Sequence, residues 1–249
     1  MWRRAKLCGH LGAGTILESA FFFNSAVKTG IETSRLACTL PSYCFPKPNK
    51  LTTMTADITS LKQQLREQAH ARRNAQEHKD ELSQQILTKF LATPEYQAAG
   101  TVLFYVDVRS EVRTRQALPI ALQSGKTIVI PWCTETVELA LFKLESMEEL
   151  ATGMYKILEP RPELRLLPHK QVAPEQVDLV MVPGVAFDRR GARMGHGKGY
   201  YDKLLETVRP DTPLIALAYD CQIFPEIPVA PHDVFMKKII TEKEIIERP

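Results

Sequence analysis

Residues 178–205, DLVMVPGVAFDRRGARMGHGKGYYDKLL, decide the fold of this chain, because an apolar run there gives way to a glycine-rich loop and the loop to a helical pattern. Asp178 to Pro183 has the length and continuous apolarity of a strand buried in a parallel sheet. Tyr200 to Leu205 resumes with helical spacing. Between them Gly195, Gly197 and Gly199 alternate with His196 and Lys198. Every second residue lacks a Cβ, so the backbone can turn its N–H groups toward one concave point, and such points bind anions. Arg189, Arg190, Arg193 and Lys198 add phosphate-binding cations, and the N-terminus of the following helix adds its dipole. A triphosphate suits this chemistry. The competing explanation is a solvated surface hairpin, since alternating glycines are a weak signal alone. The strand directly before the loop and Tyr200, Tyr201 and Asp202 directly after it favour the phosphate site.

Working outward, the 249 residues are 44% hydrophobic and 24% charged, the composition of one globular domain with room for an appendage. No apolar run approaches the length of a membrane span. The net charge of +3 is unevenly spread: residues 1–53 hold seven Lys or Arg and two Glu, leaving 25 basic and 27 acidic residues in the remainder. The body is therefore not a nucleic-acid binder by charge, and its cations are local. Cys8, Cys38, Cys44, Cys133 and Cys221 show neither a CxxC pair nor regular spacing, which argues against a zinc site or a disulfide framework. Residues 1–53, basic and ending in the proline-rich PSYCFPKPNK, form an N-terminal extension expected to be disordered. It is either an organelle-targeting peptide or translation upstream of a functional start at Met54, and Glu18, which interrupts any amphipathic helix, favours the second. Residues 54–249 are then a single catalytic domain.

From Asp57 a helix is expected, with Ile58, Leu61, Leu65 and Ala69 as its apolar stripe and Lys62, Arg66 and His70 on a second face. Asp80 to Leu91 is a second helix, Thr101 to Asp107 a strand, and Glu111 to Gln123 a helix capped by Ser110. Strands follow at Lys126 to Pro131 and Val137 to Leu144, then a short acidic helix near Ser146 to Leu150. Pro162, Pro168 and Pro174 mark a loop, and Leu214 to Tyr219 and Lys237 to Glu242 are the last strands. This alternation gives the α/β class, a three-layer Rossmann-like domain with a mostly parallel sheet and helices on both faces. Glu111 falls at a strand-to-helix junction, where such sheets collect ligands.

The string PGVAFDRRGARMGHGKGYYD, Pro183 to Asp202, resembles the signature of the 5-formyltetrahydrofolate cyclo-ligase family, also called 5,10-methenyltetrahydrofolate synthetases. GMYKILEP, Gly153 to Pro160, and KQQLR, Lys62 to Arg66, resemble further segments of it, and the likeness spans about residues 58 to 242. It implies ATP- and Mg²⁺-dependent closure of 5-formyltetrahydrofolate to 5,10-methenyltetrahydrofolate, with ADP and phosphate released. It also implies that Arg193 and Lys198 are catalytic. ATP would be held by Lys62, Arg66, Arg193, Met194, Gly195, His196, Gly197, Lys198, Gly199, Tyr200 and Tyr201, and the folate by Val106, Glu111 and Tyr201. Asp202 and Asp233 would hold Mg²⁺. Without the likeness, Lys62 and Arg66 are a solvated helix face and the two Asp a first-turn acid and a turn former. The expected partners are ATP and 5-formyltetrahydrofolate alone, with no nucleic acid or membrane, in a monomer. The expected location is the cytoplasm, or the mitochondrion if residues 1–53 are a transit peptide. A small-molecule kinase would share the loop but has no need of Glu111, and a non-catalytic RNA-binding relative has no need of the retained cations and carboxylates.

Overall fold

The computed structural model describes residues 50–248 except 137, 154–156 and 231–232, so the expectations for residues 1–49 fall outside it, as does the middle of the Gly153 to Pro160 segment. The chain begins with α1 (Lys50–Ala75), α2 (Lys79–Leu91), α3 (Pro94–Ala98), β1 (Thr101–Leu103), α4 (Leu118–Leu122), β2 (Thr127–Cys133) and β3 (Leu139–Leu144). It continues through β4 (Leu150–Thr152), β5 (Leu158–Pro160), β6 (Gln171–Val172), β7 (Leu179–Val182), β8 (Ala186–Asp188) and β9 (Arg193–Met194). It ends with α5 (Tyr200–Thr207), β10 (Leu214–Leu217), β11 (Ile223–Phe224), β12 (Lys238–Ile240) and β13 (Ile245–Glu247).

An eight-stranded sheet in the order β13–β12–β10–β7–β1–β2–β3–β6 forms the centre. The five inner strands run parallel, and β13, β3 and β6 are antiparallel to their neighbours at the edges. Burial follows the pleat. Val102, Ile128, Leu179, Met181 and Ile215 face a core shared with Ile86, Leu87 and Phe90 of α2, Tyr96 of α3 and Leu118 of α4. Leu103, Val129, Val180, Val182 and Ala216 face the opposite core, shared with Leu204 and Leu205 of α5. Both faces are covered, which is why β7 and β10 are apolar at every position.

Several elements differ from their sequence expectation, among them the acidic helix near Ser146 to Leu150, which is one 3₁₀ turn running into β4, and the Pro162 to Pro174 loop, which holds edge strand β6. The strand ending at Asp107 stops at Leu103, and the helix from Glu111 to Gln123 is instead an irregular loop, one 3₁₀ turn and the short α4. The reason is local: Asp107 is buried and accepts from Arg115 N and Nε at 2.9 and 3.1 Å, and Thr114 Oγ1 donates to Tyr105 O, so side chains replace the helix's own bonds. Ser110 caps nothing, its Oγ accepting instead from Arg73 Nε at 3.0 Å. The apolar stripe of α1 is only half used. Leu65 and Ala69 pack on the small sheet β11–β8–β9, whereas Ile58 and Leu61 are 40% and 47% exposed, since that sheet meets the helix only from Leu65 onward. α1 starts at Lys50, inside the stretch assigned to the extension.

β1 lies between β2, which follows it, and β7, which comes much later, so the strand order reverses there. In open α/β sheets that reversal leaves a crevice beyond the carboxyl ends of the strands.

Candidate active site

A cavity of about 210 Å³ occupies this crevice. Its walls are the loop after β1 (Val106, Glu111), the end of β2 (Trp132, Cys133), the β4–β5 hairpin (Ile157, Leu158, Glu159) and the loop from Arg193 to Asp202. One side is apolar and the other cationic.

The glycine loop is shaped by its backbone. Gly197 has φ +88°, and Gly199, the residue before α5, has φ +73°, both in the left-handed region that glycine enters without strain. α1 closes the loop from behind, its residues arriving one turn apart. Lys62 Nζ bonds Asp233 Oδ2 at 3.0 Å, and Arg66 Nε donates to Gly195 O at 3.1 Å. His70 stacks on His196, ring centroids 5.3 Å apart. Arg73, almost fully buried, donates from Nη1 to Gly184 O at 3.1 Å. On the face with helical spacing of four, Arg66 and His70 thus meet the loop and Lys62 meets Asp233.

Arg193 is nearly buried, pairs with Asp202 and donates to Pro183 O at 3.2 Å. Burial pulls its guanidinium down from its ordinary value, while Asp202, Tyr201 and Asp233 act in the opposite direction. Lys198 is exposed at the cavity wall and, among the described residues, has no ion-pair partner. Glu111 is nearly buried on a turn whose Arg109 has φ +54°, with Oε2 accepting from Val108 N at 3.0 Å and Oε1 lying 3.3 Å from His196 Nε2. Tyr201 packs against both cores, yet its buried hydroxyl has no partner among the described residues. Burial first, then the Glu111 and Cys133 charges against Arg193, raise its pKa well above the ordinary value, so it stays a donor. Burial and then Glu159 push the Cys133 thiol up, against Tyr200 and Lys198.

The structure therefore brings Val106, Glu111, Arg193, Gly195, His196, Gly197, Lys198, Gly199, Tyr200, Tyr201 and Asp202 to one cavity, with Lys62 and Arg66 behind its loop. Met194 is different: its side chain is buried with Ala69, Val185 and Phe224, so it can offer a nucleotide only its backbone. Arg189 and Arg190 lie elsewhere, a correction to their grouping with the phosphate cations. Arg189 pairs with Glu244, and Arg190 with Asp188 and Glu226, because β8 and β9 form a hairpin that carries its tip away from the loop. Asp202 and Asp233 are each engaged by a cation, and no cluster of three or more His, Cys, Asp or Glu exists among the described residues. Two carboxylates suit an ion that arrives with phosphate oxygens and its own waters, and do not suit a resident one.

Sequence reasoning missed the apolar wall. Trp132 lies within β2, past the Pro131 at which that strand was expected to end, with Arg165 at 4.9 Å from its ring, and Glu159 pairs with Arg165 at 2.9 Å. The signal available was Glu159 held extended before Pro160.

A profile described as the 5-formyltetrahydrofolate cyclo-ligase family matches residues 58–242. The probable 5-formyltetrahydrofolate cyclo-ligase of Schizosaccharomyces pombe is 30% identical over 180 residues, 67% of this chain and 87% of that protein. The 5-formyltetrahydrofolate cyclo-ligase of Mus musculus is 30% identical over 198 residues, 74% of this chain and 95% of the mouse protein. The solved structure of Aquifex aeolicus 5,10-methenyltetrahydrofolate synthetase superposes with a TM-score of 0.66 at 33% identity, over 76% of this chain and 93% of that one.

Proposed function

The chain belongs to the 5-formyltetrahydrofolate cyclo-ligase family, and from that premise we propose that it closes 5-formyltetrahydrofolate to 5,10-methenyltetrahydrofolate at the expense of ATP, releasing ADP and phosphate. The observation that carries the proposal is the joining of a glycine-and-cation loop and a buried carboxylate in one cavity. The first suits phosphate and the second suits the amino and ring N–H donors of a pterin.

A formamide oxygen leaves poorly. In the proposed reaction it attacks the γ-phosphorus, ADP departs, and N10 then attacks the activated carbon. The C–O bond breaks as phosphate leaves, and N10 gives up its proton. No side-chain nucleophile is needed. The protein's task is to align two substrates and to neutralise charge on the moving phosphoryl group. Arg193 and Lys198 carry that charge role, while the backbone from Arg193 to Tyr201, Lys62 and Arg66 hold the nucleotide. Glu111, Val106 and Tyr201 hold the folate. Asp202 and Asp233 would hold Mg²⁺ delivered with the nucleotide, where it would neutralise phosphate oxygens.

We read residues 54–249 as the catalytic domain, active as a monomer in the cytoplasm, with residues 1–53 dispensable for chemistry. No helix among the described residues is long and apolar enough to cross a membrane. The test is to mix the purified chain with 5-formyltetrahydrofolate and MgATP and follow the near-ultraviolet band of the methenyl ring. A rise that needs both ATP and Mg²⁺ and disappears in Asp202→Ala is expected. A folded, ATP-binding chain that produces no rise would overturn the proposal.

A further inference from the structure

On the face that α1 turns toward the site, His70 has no part in the function above. Lys62, Arg66 and Arg73 each bond an oxygen, whereas His70 makes a ring contact, its plane inclined 32° to that of His196. His196 stands between two glycines, and its Nε2 faces Glu111 Oε1 at 3.3 Å. A carboxylate can only accept, so Nε2 carries the hydrogen of this bond. Glu111 is thereby fixed by two groups, Val108 N and His196, and His196 by the ring of His70 on a rigid helix.

We propose that His70 is a positioning residue for the folate: its ring clamps that of His196, keeping Nε2–H on Glu111 and Glu111 in the orientation that receives the pterin. This rests on the folate-binding role proposed for Glu111.

The clamp works when His70 is uncharged. The groups facing it are Arg73 on its own helix, His196 from the glycine loop, and Arg109 and Glu111 from the loop after β1. Burial first, then Arg73, His196 and Arg109, lower its pKa, and Glu111 alone opposes them. At neutral pH the His70 ring is therefore neutral. Protonating His70 would place a cationic ring beside Arg73 and Arg109, loosening its contact with His196 and with it Glu111's support.

The experiment compares the full-length chain with His70→Ala and His70→Phe, varying 5-formyltetrahydrofolate and MgATP separately between pH 5 and 8, and records a melting temperature for each. Among the described residues the His70 ring makes no hydrogen bond, so phenylalanine reproduces its contact without its titration. His70→Ala is expected to raise KM for the folate by about 5- to 20-fold, the scale of one displaced hydrogen bond, with KM for ATP and melting little changed. His70→Phe should keep folate KM within about twofold of the parent at pH 7.5 and lack the rise in KM that the parent shows on acidification. A His70→Ala chain with unchanged folate KM overturns the inference while leaving the function intact. So does an equal loss for both substrates, or a His70→Phe chain as impaired as His70→Ala. A parent chain that neither binds nor closes the folate removes the function itself, and the inference with it.

Discussion

At the N-terminal ends of the central strands charged groups are paired with one another, whereas at the C-terminal ends comparable groups point into a cavity. Before β7, Asp178 accepts from Gly100 N and Thr101 N at 3.1 and 2.9 Å and pairs with Arg209 at 3.0 Å. Beside it Glu95 takes Lys238 at 3.1 Å and Lys237 at 3.3 Å, and Lys238 also meets Glu247. Beyond the opposite ends, Lys198 has no ion-pair partner and the Tyr201 hydroxyl no hydrogen bond among the described residues. A donor without a protein partner can meet a ligand without first breaking a bond, and a buried donor left unsatisfied costs the fold about 1–3 kcal/mol. One end of the sheet is thus built for stability and the other is left incomplete for binding.

The largest test of this contrast is Lys198→Ala, expected to slow cyclisation by about 10²-fold or more while melting stays put. A matching fall in melting temperature would show that Lys198 also supports the fold and would blur the distinction. Asp178→Ala should do the reverse, costing about 1–2 kcal/mol after allowance for its exposure and leaving activity per folded molecule unchanged. Calorimetry should place its melting about 2–8 °C lower.

Acid probes the same end without mutation. Burial raises the Asp178 carboxyl, but Thr101 N, Arg209 and Gly100 N outweigh it; burial likewise raises Glu95, outweighed by its own backbone N–H, Lys238 and Lys237. Both folded values lie below the unfolded ones. Their contribution is therefore complete above about pH 4.5 and is lost as pH falls through the folded values. Glu145, held by Lys143 and then Lys170, is lowered to about 2 and extends the loss further into acid. A melting temperature flat from pH 5 down to 2 would contradict these pairings.

Two glycines give a smaller, matched pair. Gly125 before β2 has φ +77° and Gly197 φ +88°, so alanine at either strains the backbone by about 1–2 kcal/mol. Only at Gly197 would the new Cβ meet a site residue, Arg66 Cζ at 3.4 Å, so only Gly197→Ala should raise KM for ATP. The smallest effect on stability belongs to Tyr201→Phe, which removes no hydrogen bond among the described residues and should melt at or slightly above the parent. Its affinity for the folate should nevertheless fall, and a variant unchanged in both would make the hydroxyl an accident of packing.

Much of this was legible in the sequence, for identifiable reasons. β7 and β10 are apolar at every position, and a glycine loop followed by helical spacing can be read without neighbours. Spacing, position and family likeness single out Lys62, Arg66 and Glu111, and the structure places Glu111 at the cavity and the other two beside its loop. What stayed hidden depends on the third dimension. Nothing local says that Asp107 would take up Arg115 and undo a helix, or that the β8–β9 hairpin would carry Arg189 and Arg190 off to Glu244 and Glu226. Trp132 and Glu159 meet across a cavity because β2 and the β4–β5 hairpin end side by side, which composition cannot report.

α1 has one more consequence, in time rather than space. Its Lys62 waits for Asp233, 171 residues later, and its Arg66 for Gly195, 129 residues later. At ribosomal rates of about 5–20 residues per second, the first of these intervals is roughly 10–35 s. The helix proposed to supply the nucleotide cations is the earliest described element to be synthesised, yet these two contacts wait for late residues, so the cavity's loop lacks its α1 support until nearly all of the chain has emerged.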